Sequence, residues 1–155
     1  MLDKNESINR ANRLIEKAIR GSAIRPIDGL MYRNDIGQID LEIGKKGEGS
    51  AKSHGSGLSK LLQKHPEELK KFAETLARGE LLKTTVGSKI DTPYDDSRRA
   101  IAFKNMVIYI HNKGKRRWKI GTNFASNDEV RKAYEIDKRI RSSEQTRKSL
   151  QEAAT

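Results

Sequence analysis

The chain has 155 residues, about the size of one domain, and hydrophobic and charged residues each make up 34% of it. This composition predicts a small core, and the net charge of +11 favours a polyanionic partner such as RNA, DNA or an anionic membrane surface over a protein that is merely basic. There is no cysteine for a disulfide or thiolate metal site, no HExxH or HxxxH zinc-type motif, and no apolar run near the roughly 20 residues of a membrane span.

Residues 3–20 have apolar side chains at helical spacing and predict an amphipathic helix. Asp3 is placed to cap this helix, Glu6 to complete a capping box, and Gly21 to end it. We expect the helix to pack on the core, with a dimer contact as the alternative. The N-terminal decapeptide, MLDKNESINR, lacks the hydrophobic core of a signal peptide.

Two short strands follow, Leu30–Tyr32 and Gln38–Ile43, around a turn at residues 34–37. In the second strand the apolar side chains alternate with the carboxylates Asp40 and Glu42. These carboxylates are either a solvated strand face or a catalytic pair, and the alternation favours the solvated face.

The segment from Gly44 to His65 reads GKKGEGSAKSHGSGLSKLLQKH and combines five glycines with cationic and histidine side chains. Glycine lets backbone N–H groups approach an anion, and histidine is the side chain whose unperturbed pKa lies near neutrality. The segment therefore predicts phosphate binding together with proton transfer. Its candidate residues are Lys45, Lys46 and Lys52 for RNA binding and His54, Lys60 and His65 for catalysis.

This glycine-rich segment is not a P-loop. Ala51 and Lys46 stand where that motif requires glycine, and no GxGxxG run follows a strand and opens a helix, which disfavours ATP-dependent chemistry. The alternative for His65, which follows an apolar helix face and precedes Pro66, is a buried structural role.

A second helix is predicted from Pro66 to about Arg78, ended by Gly79, and then a strand at Leu81–Val86 and an exposed loop at Gly87–Ser97. The strongest strand signals come next and predict an antiparallel meander. Its strands are Arg99–Phe103, Met106–His111 and Arg116–Thr122, with a tight turn at Lys104-Asn105.

The meander carries a cationic rim with interleaved aromatic residues, a combination that suits unstacked RNA bases. Its predicted RNA-binding residues are Arg98, Arg116, Arg117 and Trp118. For Trp118, a place in the core is the alternative. A last helix, capped by Asn127 and reaching about Glu152, carries little to bury beyond Ile140, and we expect that tail to fray or stay mobile.

These residues suit phosphodiester cleavage without a metal, because RNA carries its own nucleophile, the ribose 2′-OH. Such cleavage needs a base, an acid, and cations or N–H groups on the phosphate oxygens. Histidine suits the proton transfers, lysine can replace it in a cationic pocket, and the forked donors of arginine match phosphate.

Three stretches together resemble the phage-encoded nucleases of the barnase, EndoU, tRNA-cleaving colicin and RelE superfamily. They are GQIDLEIG (37–44), GSGLSKLLQKHP (55–66) and WKIGTNF (118–124). Members typically pair a G-x-I-D-L strand with a G-x-G-L-x-H-I-x-x-K-H helix, and a late strand ends in a hydroxyl residue before an aromatic. His65 matches the second histidine of that helix, Thr122 the late hydroxyl, and Lys60 stands where the first histidine is usual.

We therefore expect an α+β fold, with a small antiparallel sheet of four or five strands, helices packed on one side and helical extensions at both termini. The expected domains are an N-terminal helix (1–22), a nuclease domain (23–125) and a C-terminal helical extension (126–155). The expected function is a metal-independent endoribonuclease, toxin-like or phage-associated, with no cofactor. Its catalytic residues would be His54, Lys60, His65, Arg99 and Thr122, with Arg99 and Arg117 holding phosphate.

The expected partners are RNA, either tRNA or mRNA, and an immunity or antitoxin protein, but no membrane. The terminal helices are candidates for homo-oligomer contacts, and the expected location is the cytoplasm of a bacterial host or a virion. Two alternatives stay open at this point: a non-catalytic RNA- or DNA-binding phage accessory protein, since Lys60 departs from the family pattern, and a virion component assembled through the terminal helices.

Overall fold

A computed structural model describes residues 3–20, 26–42, 66–85 and 94–154 of the chain. Over these ranges the chain forms helices on both sides of one sheet. In chain order the elements are α1 (Lys4–Arg20), β1 (Ile27–Arg33), β2 (Gly37–Leu41), α2 (Pro66–Arg78), β3 (Glu80–Thr85), β4 (Tyr94–Phe103), β5 (Met106–Gly114), β6 (Arg117–Ala125) and α3 (Asn127–Ala154). The predicted α+β class is confirmed.

The six strands form one sheet in the order β1-β2-β6-β5-β4-β3. Neighbouring strands are antiparallel except β2 and β6, which run parallel and pair Ile39 with Trp118. The prediction of four or five antiparallel strands is therefore wrong in number and in this pairing. The alternation within β2 identifies its buried side chains but does not say which strand lies beside it, and β6 comes much later in the chain.

Helices cover both faces of the sheet, not one face as the sequence predicted. As expected, α1 packs on the core, and together with α2 it covers the face that carries Ile101 and Ile108. On the opposite face α3 packs against Ala100 and Val107 through Ala133. Successive side chains of a strand point to opposite faces, and the small residues on the second face leave room for a helix to approach.

The predicted start of α1 and both predicted ends of α2 are present in the structure, whereas Gly21, the predicted stop of α1, lies outside the described residues. Asp3 Oδ1 accepts a hydrogen bond from Glu6 N at 2.8 Å, which confirms the predicted N-cap of α1. Pro66 is the first residue of α2, and Gly79 N donates to Thr75 O at 2.8 Å where that helix ends. Local sequence chemistry therefore fixes these boundaries.

The third helix differs in its cap from the prediction. Ser126 rather than Asn127 holds the cap position, since Ser126 Oγ lies 3.4 Å from Glu129 N. The helix continues past Ile140 to Ala154, and the mobility of that part stays a prediction. No helix in the described ranges is both long and apolar enough to cross a membrane.

The predicted meander is present as β4, β5 and β6. The tight turn at Lys104-Asn105 joins the first two strands, with Lys104 in the left-handed region at a φ of 53°. However, β4 starts at Tyr94, so residues 94–97 belong to a strand and not to an exposed loop.

Side chains cover both edges of the sheet. At β1, Arg10 Nη1 donates to Gly29 O at 2.8 Å, and at β3, Asp137 Oδ1 accepts from Lys83 N at 2.8 Å. Unpaired backbone groups at a sheet edge invite pairing with another chain. The two contacts satisfy such groups, and the second also fixes α3 against β3.

Candidate active site

Four side chains from four adjacent strands form a polar row across the face on which α3 packs. Arg98 of β4 pairs with His111 of β5, His111 pairs with Lys119 of β6, and Lys119 pairs with Asp40 of β2. Directly paired residues share a face, and strands lie about 4.8 Å apart, so the row is about 14 Å long. The polar row, defined by these four residues, places a histidine between two cations and ends at a carboxylate.

A cleft of about 460 Å³ opens beside the polar row, between the sheet and the first turns of α3. This volume lies within the roughly 300–1,000 Å³ typical of ligand sites. Its lining residues are Thr84, Arg98, Arg99, Tyr109, Ile110, His111, Gly121, Thr122, Phe124, Glu129 and Lys132. The cleft therefore brings together the predicted site residues Arg98, Arg99 and Thr122.

A β-bulge turns Thr122 into this cleft. Tyr109 pairs with Thr122 whereas the next residue, Ile110, pairs with Ile120, so Gly121 is an extra residue in β6. Without it, Thr122 would share the core-facing side of Ile120, because side chains alternate along a strand. Bulges commonly re-aim side chains beside active sites, and here the bulge places a hydroxyl next to Tyr109.

Two arginines of β4, Arg98 and Arg99, line the cleft. Arg98 Nε and Arg99 Nη1 are buried, and neither has a hydrogen-bond acceptor among the described residues. The Arg99 guanidinium lies over the Tyr94 ring, 5.3 Å from its centroid, and its Nη2 is 3.4 Å from Asp96 Oδ1. Burial lowers the pKa of Arg99, and the charge of Arg141 adds to this effect. Buried N–H groups are costly to leave without an acceptor, and the forked donors of a guanidinium match the oxygens of a phosphate.

Asp40 ends the polar row as a carboxylate that is 0% exposed. It accepts hydrogen bonds from Gly29 N at 2.7 Å, Gln38 Nε2 at 2.8 Å, Arg117 Nη2 at 2.7 Å and Lys113 Nζ at 3.3 Å. Burial favours the neutral carboxyl, but these hydrogen bonds together outweigh burial and lower the pKa of Asp40. The prediction of a solvated strand face is therefore wrong at Asp40.

Trp118, a predicted RNA-binding residue, lies in the core rather than on the cationic rim. Its exposed fraction is 6%, and its Nε1 donates to Ile36 O at 3.1 Å. A ring enclosed in this way offers no face to a base, so the structure supports the alternative that the sequence left open. Of the neighbouring predicted residues, Arg116 is exposed and Arg117 is paired with Asp40.

The remaining predicted site residues lie outside the described residues. They are Lys45, Lys46, Lys52, His54, Lys60 and His65. Their convergence with Arg99 and Thr122 stays a prediction.

His111 and Glu129 line the cleft, but neither was predicted from the sequence as a site residue. The sequence does contain a signal for the position of His111. A two-residue turn at Lys104-Asn105 sets Phe103 opposite Met106, and counting outward from that pair places Arg98 opposite His111. No comparable signal places Glu129, because its position depends on how α3 packs on the sheet.

The groups at the cleft suit the chemistry of a phosphodiester. The His111 imidazole is suited to proton transfer, the arginine donors match phosphate oxygens, and the Thr122 hydroxyl can donate or accept a hydrogen bond. Within the described part of the chain, no group of three or more histidine or carboxylate side chains is placed to hold a metal ion.

A family model for the phage-Barnase-EndoU-ColicinE5/D-RelE like nuclease matches residues 30–138. The matched range contains the whole polar row and every residue that lines the cleft. No curated protein and no solved structure matches the chain.

Proposed function

The chain belongs to the phage-Barnase-EndoU-ColicinE5/D-RelE like nuclease family, and we propose that it is an endoribonuclease that cleaves RNA without a metal ion. In the proposed reaction the ribose 2′-OH attacks the adjacent phosphorus and the P–O5′ bond breaks. The products are a 2′,3′-cyclic phosphate and a free 5′-OH.

One observation carries the proposal. Arg98 Nε and Arg99 Nη1 are buried donors with no acceptor among the described residues, and both side chains line the same cleft as His111. Two guanidinium donors beside an imidazole suit a site that binds a phosphate and moves a proton next to it. RNA supplies both the phosphate and the nucleophile.

The proposed roles follow from the side-chain chemistry. His111 accepts the proton from the 2′-OH as the new P–O2′ bond forms. Arg98 and Arg99 donate to the non-bridging oxygens, whose charge grows in the transition state. The Thr122 hydroxyl orients the scissile phosphate by a further hydrogen bond.

A second group must donate a proton to the leaving O5′. The glycine-rich segment supplies the proposed candidates, His54, Lys60 and His65, with Lys45, Lys46 and Lys52 contributing charge along the RNA. Each proton-transfer role is typically worth about 10²–10⁴ in rate. Lys60, which stands where the family motif carries histidine, fits the role of acid or electrostatic stabiliser.

We also propose a biological setting for this activity. The protein would act as a toxin-like or phage-associated nuclease in the cytoplasm of a bacterial host or from a virion. Its target would be tRNA or mRNA, and an immunity or antitoxin protein would restrain it.

The proposal is tested with a dye-labelled RNA incubated with the full chain in EDTA between pH 5 and pH 9. We expect cleavage by the native protein and a loss of about 10²–10⁴ in rate for His111→Asn, because the imidazole is removed while the strand is kept. The matched control is Lys17→Ala, an exposed site on α1, across the sheet from the cleft, and its rate should be unchanged.

Intact RNA at every pH would contradict the enzyme. If RNA also bound with a steep salt dependence, the result would favour the non-catalytic binding protein. Full activity in His111→Asn would instead reject the proton-transfer role of His111 and leave that role to the glycine-rich segment.

A further inference from the structure

The cations near the polar row fall into two groups with different partners. Lys113 and Arg117 lie within ion-pair distance of carboxylates. We call these two cations and their carboxylates the paired cluster; its members are Asp28, Asp40, Glu42, Lys113 and Arg117. We call Arg98, Arg99 and Lys119 the open cluster.

Within the paired cluster three carboxylates face two cations. Arg117 Nη2 is 2.7 Å from Asp40 Oδ2 and 3.8 Å from Asp28 Oδ1. Lys113 Nζ is 3.0 Å from Glu42 Oε1 and 3.3 Å from Asp40 Oδ2. Its positive charges are therefore already compensated before any ligand arrives.

Within the open cluster the cations have fewer close carboxylates. Among the residues that the structure describes, Arg98 and Lys119 form no ion pair. Arg99 lies 3.4 Å from the exposed Asp96, and the charges of Glu144 and Asp137 also act on it. Arg98 and Arg99 also keep buried N–H groups with no acceptor in that part of the chain. The charges of Arg98 and Lys119 are therefore available to a polyanion.

We infer that the RNA backbone crosses the sheet over β4, β5 and β6 through the open cluster and stops at β2, where the paired cluster excludes it. Polyanion binding gains most of its strength from counterions released when cations meet phosphates. A cation already matched by a carboxylate contributes little, and the surplus carboxylate repels phosphate. This inference rests on the proposed function and revises one expectation from the sequence, that Arg117 holds a phosphate.

The inference is tested by the salt dependence of binding to a dye-labelled 2′-O-methyl RNA, which lacks the 2′-OH nucleophile and so cannot be cleaved by the proposed route. Each contact with a single-stranded phosphate adds about 0.7 to the slope of log K against log salt. Arg98→Gln and Lys119→Gln should each reduce the slope by about 0.7. Arg117→Gln and Lys113→Gln should each change it by less than about 0.2, because their charges are already compensated.

A fifth variant tests the compensation itself. Glu42→Gln removes the closer of the two carboxylates at Lys113 and leaves the buried Asp40 in place. The slope should therefore become steeper, but by less than the value of about 0.7 expected for a cation with no carboxylate partner. Thermal unfolding of each variant checks that it is folded. The two cations substituted in each cluster provide independent readings.

Equal slope losses for the paired and open clusters would overturn the inference while leaving the nuclease proposal intact. No salt-dependent binding by the native protein would overturn both. Cleavage of unmodified RNA, measured separately, reports on the proposed function alone.

Discussion

A histidine between two cations is the residue on which the proposed chemistry depends. His111 has Arg98 on one side and Lys119 on the other, and it lines the cleft beside the two arginines with buried donors. In this position an imidazole can exchange a proton while the guanidinium groups hold the phosphate. Binding and proton transfer would therefore take place within one cross-strand row and its neighbours.

Asp40 has a different role at the end of the same row. Its buried carboxylate accepts hydrogen bonds from two neutral donors, the backbone Gly29 N and the side-chain Gln38 Nε2. It also accepts from the two cations Lys113 and Arg117. The pKa of Asp40 is lower in the folded state than its ordinary value of 3.8. The charged carboxylate therefore stabilises the fold at pH values above 3.8. That stabilisation is lost as the pH falls through the lowered folded-state pKa.

Asp40→Asn should therefore destabilise the protein by about 2 kcal/mol at pH 7, because the cations lose a buried charged partner. The difference in the free energy of unfolding between this variant and the native protein should shrink as the pH falls below 3.8. Urea unfolding at pH 7, 5 and 3 measures this difference. Asp28→Asn is the matched control, since that exposed carboxylate should contribute less than about 0.5 kcal/mol. Equal losses in the two variants, or a difference that does not vary with pH, would contradict this role of Asp40.

At the scale of elements, the packing of two turns holds β2 beside β6. Gln38 N donates to Arg116 O at 2.9 Å, and Gly37 lies directly against that carbonyl with a φ of 99°. Lys115 and Arg116 also have positive φ values, of 48° and 58°. The sharp β5–β6 turn thereby reaches the β1–β2 turn and helps to set the one parallel pairing in the sheet.

Two glycines test this contact in a matched pair. Gly37 and Gly114 both have φ near 95–99°, but a Cβ at Gly37 would clash with Arg116 O whereas one at Gly114 would meet nothing. Gly114→Ala should lower the free energy of unfolding by about 1 kcal/mol, from backbone strain alone. Gly37→Ala should lower it by about 3 kcal/mol or more, because a backbone oxygen must also move. Chemical denaturation gives both values, and similar losses would refute the contact.

The elements also show what the sequence could predict. Caps and apolar spacing located α1 and α2, and β-branched runs with a two-residue turn located β4 and β5. The same turn sets the strand register that pairs Arg98 with His111. The β2–β6 pairing and the placement of α3 could not be predicted, because periodicity assigns side chains to a face without saying what covers that face. The bulge at Gly121 could not be predicted either, because periodicity does not show where a strand carries an extra residue. This bulge determines the face to which Thr122 points.

At the scale of the whole molecule, the charge and the family agree on the class of partner. A net charge of +11 favours a polyanion, and the chain belongs to a nuclease family. The site as proposed joins one face of the sheet with the glycine-rich segment between β2 and α2. Sequence chemistry indicated that segment and the Arg98–Arg99 pair, and the family resemblance indicated Thr122. His111 required the pairing of strands.

The most direct measurement uses one RNA made in two forms, incubated with the protein in EDTA. The first is all-ribose, and the second carries a single 2′-deoxy nucleotide 5′ to the scissile phosphate mapped with the first. The proposed mechanism predicts that the all-ribose RNA is cut to a 2′,3′-cyclic phosphate, identified by mass, and that the 2′-deoxy form stays intact at that position. Cleavage of both forms, or cleavage that requires an added divalent metal ion, would contradict it.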